Sequence, residues 1–269
     1  MAVARKDYAA IGRANITSPT QMSASPPRML IYGRNKKGKT TFCSTPGKGN
    51  VLIVDPEDGT ARMVRRDPDV WRVKKWEQLD EVYNFLRLGK HNYKWVALDG
   101  TTRMHHMALR FVMGLAAERS LDTKPSLVHK QHYGQAGELT KEMLWQFHQL
   151  PLGVIYTAQE RMEDGAFSGD EDDDAEDVAV RYVPDLPKGA RAAINSIVDV
   201  IGRIYTVKVP STKDPDKELI QRRLWLETHP AYDTGYRSDY ASTMPQFLKA
   251  PTVDKLVSLM MEGKVSNAR

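Results

Sequence analysis

Gly33-Arg34-Asn35-Lys36-Lys37-Gly38-Lys39-Thr40, followed by Thr41, fits the pattern GxxxxGK[ST]. Phosphate binding needs those residue types at that spacing. The glycines let the backbone curl so that its N–H groups face phosphate oxygens. The lysine reaches the β- and γ-phosphates, and the hydroxyl after it ligates magnesium. The flanks agree, because the apolar run Met29 to Tyr32 delivers the chain to the loop and the segment after it reads as a helix. Gly33, Arg34, Asn35, Lys36, Lys37, Gly38, Lys39, Thr40 and Thr41 are therefore assigned to binding ATP, with Lys39 on the phosphates and Thr40 on Mg2+.

Working outward from this loop, short apolar runs alternate with amphipathic stretches. The runs are Met29 to Tyr32, Val51 to Val54, Trp95 to Leu98, Val154 to Thr157 and Val200 to Val207. Between them Leu79, Val82, Tyr83 and Leu86 fall at i, i+3, i+4 and i+7, and Leu139, Met143 and Phe147 share a second helix face. This alternation predicts an α/β domain with a largely parallel central sheet flanked by helices. Further on, a helix is expected over Arg191 to Val198, strands over Ile201 to Val209 and Leu224 to Glu227 either side of a turn at Pro210 to Lys217, and a last helix over Val253 to Met261. Residues 1–27, rich in Ala, Ser, Thr and Pro, read as a flexible tail, and residues 28–269 as the catalytic domain. From Glu163 to Pro187 the apolar period vanishes and a long acidic loop is expected.

Three strand ends carry polar groups. Trp95-Val96-Ala97-Leu98 ends in Asp99, a carboxylate suited to hold the magnesium beside the phosphate loop. Val51-Leu52-Ile53-Val54 ends in Asp55-Pro56-Glu57, where a carboxylate can polarise the attacking water. Val154-Ile155-Tyr156-Thr157-Ala158 ends in Gln159-Glu160, and a neutral amide there can sense the γ-phosphate by hydrogen bonding. His105 and His106 are adjacent and cannot share a helix face, so no metal site is expected from them.

The 269 residues are 41% hydrophobic and 27% charged, which excludes a minimal metal- or disulfide-stapled scaffold. The single cysteine, Cys43, cannot form an internal disulfide, which fits a reducing compartment. No apolar run approaches the roughly 20 residues needed to span a bilayer, and residues 1–28 lack a secretory apolar stretch. A cytoplasmic protein with no membrane partner is expected. Thirty-nine basic residues stand against 34 acidic ones, a net charge of +5. Asp170-Glu171-Asp172-Asp173-Asp174-Ala175-Glu176-Asp177 holds seven of the acids, so the remainder has 39 against 27, a net charge of +12. That basic body favours a polyanionic partner such as nucleic acid, and the acidic run reads as a mobile insertion able to compete for the same basic surface.

Phosphate loop, acid-x-Glu strand, acid-ending strand and Gln-ending strand follow in the order of the RecA-like recombinase ATPases, which this chain resembles. Tyr133-Gly134-Gln135, Pro187-Lys188-Gly189-Ala190 and Asp199-Val200-Ile201-Gly202-Arg203 are more narrowly similar to short RecA-like ATPases of bacteriophages, associated with single-strand annealing and recombination. The resemblance runs from about Met29 to Met261. It implies a RecA-like P-loop core in which Glu57 is the catalytic base and Gln159, with Lys39, links the γ-phosphate to a DNA-binding loop over Glu163 to Pro187. It also implies single-stranded DNA and other recombination proteins as partners, a bacterial host, and a homo-oligomeric ring or filament completed by a basic residue acting in trans. Arg237, then Arg222 and Arg223, are the trans candidates, although Tyr236-Arg237-Ser238 lacks the lysine of the phage family's Lys-x-Arg element. Arg181, Lys188 and Arg191, just beyond the acidic run, are the DNA-contact candidates. Two competing readings use the same loop: a nucleotide-gated switch of partition type, whose lysine five residues before Lys39 is here Arg34, and a P-loop kinase, which wants a lid of arginines rather than an acidic loop.

Overall fold

The computed structural model describes residues 7–18, 26–119, 128–164, 180–211 and 217–264. At its centre, β1 (Arg28–Tyr32), β2 (Val51–Asp55), β4 (Trp95–Asp99) and β5 (Gly153–Ala158) are the apolar runs of the sequence. Nearly every residue in them is buried, as strands covered on both faces require. With β3 (Asp69–Arg72), β8 (Val200–Pro210), β9 (Glu218–Trp225) and β11 (Phe247–Lys249) they form one sheet in the order β11-β9-β8-β1-β5-β4-β2-β3. β10 (Gly235–Tyr236) pairs with β8 off that path. Every pairing from β3 to β8 is parallel, while β9, β10 and β11 are added antiparallel. The α/β class expected from the sequence is therefore observed, and β5 stands between the phosphate-loop strand β1 and the Asp99 strand β4.

The period of two along each strand divides the core. Leu30, Tyr32, Leu52, Val54, Val96 and Leu98 face one side, under α3 (Gln78–Leu88), α4 (Thr101–Arg119), α5 (Lys130–His148) and α6 (Lys188–Ile197). Met29, Ile31, Ile53 and Ala97 face the other, under α2 (Lys39–Cys43) and α7 (Val253–Glu262). Leu79, Val82 and Leu86 of α3 and Met143 and Phe147 of α5 are buried, as their spacing predicts. Among the described residues no helix is long and apolar enough to cross a membrane.

Four expectations are corrected. The stretch Glu163 to Pro187 is not all loop: β6 (Glu160–Asp164) and β7 (Val180–Pro184) pair antiparallel as a separate two-stranded sheet, and α6 begins at Lys188. Only Met162 is apolar in β6, and it is exposed, so that strand carries no alternation to see, while Val183 of β7 is buried. The acidic run itself, Asp170 to Asp177, lies outside the described residues. The strand expected at Leu224 to Glu227 is the end of β9, which starts earlier, at Glu218, because its first half pairs along β8 while largely exposed. Within the expected tail, α1 (Tyr8–Asn15) is a short helix capped by the Asp7 carboxylate, with none of its residues buried.

Candidate nucleotide site

Every chemically distinctive residue named from the sequence around the loop sits at the carboxyl edge of the parallel strands, where open α/β sheets bind ligands. Gly33 leaves β1 with its N–H donating to the Ala158 carbonyl at 3.3 Å, so the loop starts tied to the end of β5. A Cβ on Gly33 would lie 2.3 Å from the Ile204 carbonyl oxygen, too close for any other residue. Lys36 and Gly38 both take left-handed backbone angles, at φ 62° and 104°. These turn the chain sharply around Lys37. Glycine at 38 suits such a bend; the lysine at 36 adopts it at a cost in energy.

Lys39 is buried and its ammonium donates three hydrogen bonds: to the Gly33 carbonyl at 2.6 Å, the Arg34 carbonyl at 3.1 Å and the Gln159 Oε1 at 3.0 Å. Burial pulls its pKa below the usual lysine value, while Asp99, Glu57 and Glu160 pull the other way. The expected phosphate lysine and the expected γ-phosphate sensor are thus in direct contact. Gln159 is held in turn by its own backbone, with its N–H donating to Thr102 Oγ1 at 3.0 Å and its carbonyl accepting from the Asp185 N–H at 2.8 Å.

Asp99 is buried, accepts the Thr157 hydroxyl at 2.5 Å and is also bonded by the Thr40 hydroxyl. Burial raises its pKa against those two bonds. The two residues assigned to Mg2+ are therefore neighbours. One carboxylate and one hydroxyl form a hard oxygen set that fits a magnesium ion keeping waters and nucleotide oxygens as its other ligands. Among the described residues no cluster of three His, Cys, Asp or Glu offers an alternative metal cage.

Glu57 projects from the loop after β2 and is exposed, yet partial desolvation raises its pKa, followed by the charge of Asp99. That loop is organised by Asp55, whose fully buried carboxylate accepts from the Glu57, Gly59 and Thr60 N–H groups and the Thr60 hydroxyl. Asp55 was quoted in the sequence only as a strand end. Its position before a Pro-Glu-Asp-Gly turn was the available signal.

Glu160 was also missed as a functional residue. Its side chain is 2% exposed and lies between Arg203 Nε at 2.6 Å and Arg34 Nε at 3.3 Å. The Arg203 guanidinium sits over the rings of Tyr232 and Tyr182, 4.4 and 4.9 Å from their centroids. A chain of contacts therefore runs from the phosphate loop to β7.

The DNA-contact candidates converge. Arg181, Lys188 and Arg191 line one groove of about 760 Å³ between the β6–β7 hairpin and α6, together with Glu163, Asn195 and Asp233. Arg191 pairs with Glu163 at 2.9 Å, and Arg181 Nε, Arg191 Nη1 and Asn195 Oδ1 are buried with no hydrogen-bond partner among the described residues. The trans candidates separate. Arg237 is exposed and donates to the Ser196 carbonyl at 3.0 Å. Arg223 stacks over Phe247 at 4.3 Å. Arg222 lies against the chain's own phosphate loop, its Nε donating to the Lys37 carbonyl at 3.0 Å.

Among solved structures the chain is similar to the KaiC-like protein of the hyperthermophilic archaeon Pyrococcus horikoshii, at 11% identity and a TM-score of 0.45 over 84% of this chain and 90% of that one. It is also similar to the flagellar accessory protein FlaH of Methanocaldococcus jannaschii, at 10% identity and a TM-score of 0.36 over 83% and 84%. No curated protein sequence matches it. A family model described as an AAA domain, AAA_24, matches residues 25–238, from just before β1 to just after β10. The chain belongs to this AAA-domain family and is a P-loop ATPase with a largely parallel α/β sheet.

Proposed function

We propose that this protein is a Mg2+-dependent, DNA-stimulated ATPase of the recombination type that uses ATP to control its grip on single-stranded DNA. In this reading Lys39 holds the β- and γ-phosphates, Thr40 and Asp99 hold the magnesium, and Glu57 activates the attacking water. Gln159 reports the γ-phosphate, Arg181, Lys188 and Arg191 contact the DNA, and Arg237 completes a neighbour's site in a ring or filament. The observation that carries the reading is the position of Gln159. Its side chain touches Lys39 while its carbonyl accepts from Asp185, between β7 and the helix that carries Lys188 and Arg191. A shift of that residue with γ-phosphate state moves the edge of the groove, which is the kind of bistable link a nucleotide-controlled grip needs.

The test is the ATPase rate with added single-stranded DNA, double-stranded DNA or RNA. The rate is expected to rise most with single-stranded DNA, and Lys39→Ala is expected to lose about a thousandfold in every condition, since a charged phosphate contact is worth several kcal/mol in the transition state. A rate indifferent to all three polynucleotides would leave the nucleotide-gated switch as the better reading.

A further inference from the structure

The phosphate loop is gripped from outside by the β8–β9 hairpin. Thr206 and Arg222 are directly opposite each other in that antiparallel pair. Both hold the same loop residue: the Lys37 ammonium donates to Thr206 Oγ1 at 3.0 Å, and Arg222 Nε donates to the Lys37 carbonyl at 3.0 Å. The guanidinium then lies flat against Gly38, so close that a Cβ there would fall 2.0 Å from Arg222 Nε. Lys37 is the residue between the two left-handed positions, where the backbone turns to aim the following N–H groups at phosphate. Gly33 is pressed by Ile204 of the same hairpin. One hairpin thus presses both glycines of the motif and pins the peptide between them.

We infer that Arg222 is a positioning residue of the nucleotide site, acting in cis: it presets the left-handed turn at Lys36 to Gly38 so that the loop meets the β-phosphate without reorganising. The role depends on the guanidinium geometry, since Nε bonds the loop from mid-side-chain, a position where lysine has no donor. It acts on binding of ADP and ATP alike, because both carry the β-phosphate. It also needs no DNA, so it stands or falls independently of the DNA-grip reading.

The experiment measures Kd for fluorescently labelled ADP, KM and kcat for ATP, and melting temperature, on the full chain. Arg222→Ala and Arg222→Lys are both expected to weaken ADP about tenfold and raise KM similarly, with kcat changed less than KM, the signature of lost preorganisation. Thr206→Val, nearly isosteric, removes the other half of the grip and is expected to weaken ADP by a smaller factor, which carries the test if Arg222→Ala melts early. Unchanged Kd in both Arg222 variants would overturn the inference, as would full rescue by Arg222→Lys. Mixing Arg222→Ala with an excess of Lys39→Ala subunits is expected to leave its KM unchanged, and recovery of the KM would assign Arg222 a trans role instead.

Discussion

Asp99 and Glu57 share a functional group and differ in surroundings, and the difference divides their work. Asp99 is buried under two hydroxyl bonds beside Thr40, as suits the proposed metal ligand; Glu57 is exposed on a loop, as suits the proposed base. Glu57→Gln is therefore expected to bind Mg-ATP normally and turn it over slowly, whereas Asp99→Ala weakens the magnesium-dependent part of binding itself. Nucleotide titrations with and without magnesium check this, and equal loss of affinity in both variants refutes it. As the proposed base, Glu57 is also expected to set a pH limb. Its folded pKa lies above the usual 4.5, so the active carboxylate form is lost as pH falls through that raised value, and Glu57→Gln should abolish the limb. Asp99, raised by burial, favours the fold below its unfolded value of 3.8 and loses that contribution as pH rises through its folded one. Both carboxylates were legible in the sequence because Asp99 ends an apolar strand and Glu57 follows the end of another. The supporting role of Asp55, itself a strand end, was not, since what distinguishes it is four hydrogen bonds that exist only once the loop is folded.

At the scale of elements, the β6–β7 hairpin is the part the sequence concealed. Its strands are short, β6 is polar, and its charged anchors are Arg161 with Glu163 and Asp185, Arg191 with Glu163, and Glu160 with Arg203 and Arg34. The Arg191 bond holds the Glu163 pKa below the usual carboxylate range, so this anchor weakens as pH falls through that lowered value. Glu160 ties three elements together, because Arg34 belongs to the phosphate loop, Arg203 to β8, and the rings over Arg203 include Tyr182 of β7. Removing a carboxylate from a buried pair strands the opposite charge, at about 3 kcal/mol or more. Glu160→Ala is therefore expected to lower unfolding stability by that amount in denaturant titration, and, if the hairpin carries the DNA response, to lower stimulation by single-stranded DNA more than basal turnover. A loss of under 1 kcal/mol would mean that solvent already screens the pair. Helix α4 also went unread; its buried Met104, Ala108 and Val112 keep a four-residue spacing, but His105, His106 and Arg110 between them blur the stripe.

Over the whole molecule, the sheet was legible because fully buried parallel strands are written as continuous apolar runs, while the added strands β9 to β11 and edge strand β3 are half-exposed and leave fainter patterns. Charge is the other whole-molecule property, and it argues for a last experiment. Residues 170–177 carry seven carboxylates, and deleting them takes the net charge from +5 to +12. Arg181, Lys188 and Arg191 follow the run closely in sequence and line one groove, where Arg191 already pairs with a carboxylate from the same hairpin. If phosphates and the acidic run compete for these three residues, the deletion tightens single-stranded DNA binding at low salt. The gain must fade as salt rises, because screening over a Debye length of about 10 Å at 0.1 M removes the repulsion between acidic run and DNA. Three phosphate contacts release counterions at roughly 0.7 each, so the log–log slope of affinity against salt should be about −2 from these residues, and Arg181→Ala should make it shallower by about 0.7. Affinity of the deletion variant equal to that of the intact chain at every salt concentration would mean that the run only solubilises the protein, and an unchanged slope in Arg181→Ala would place the DNA elsewhere.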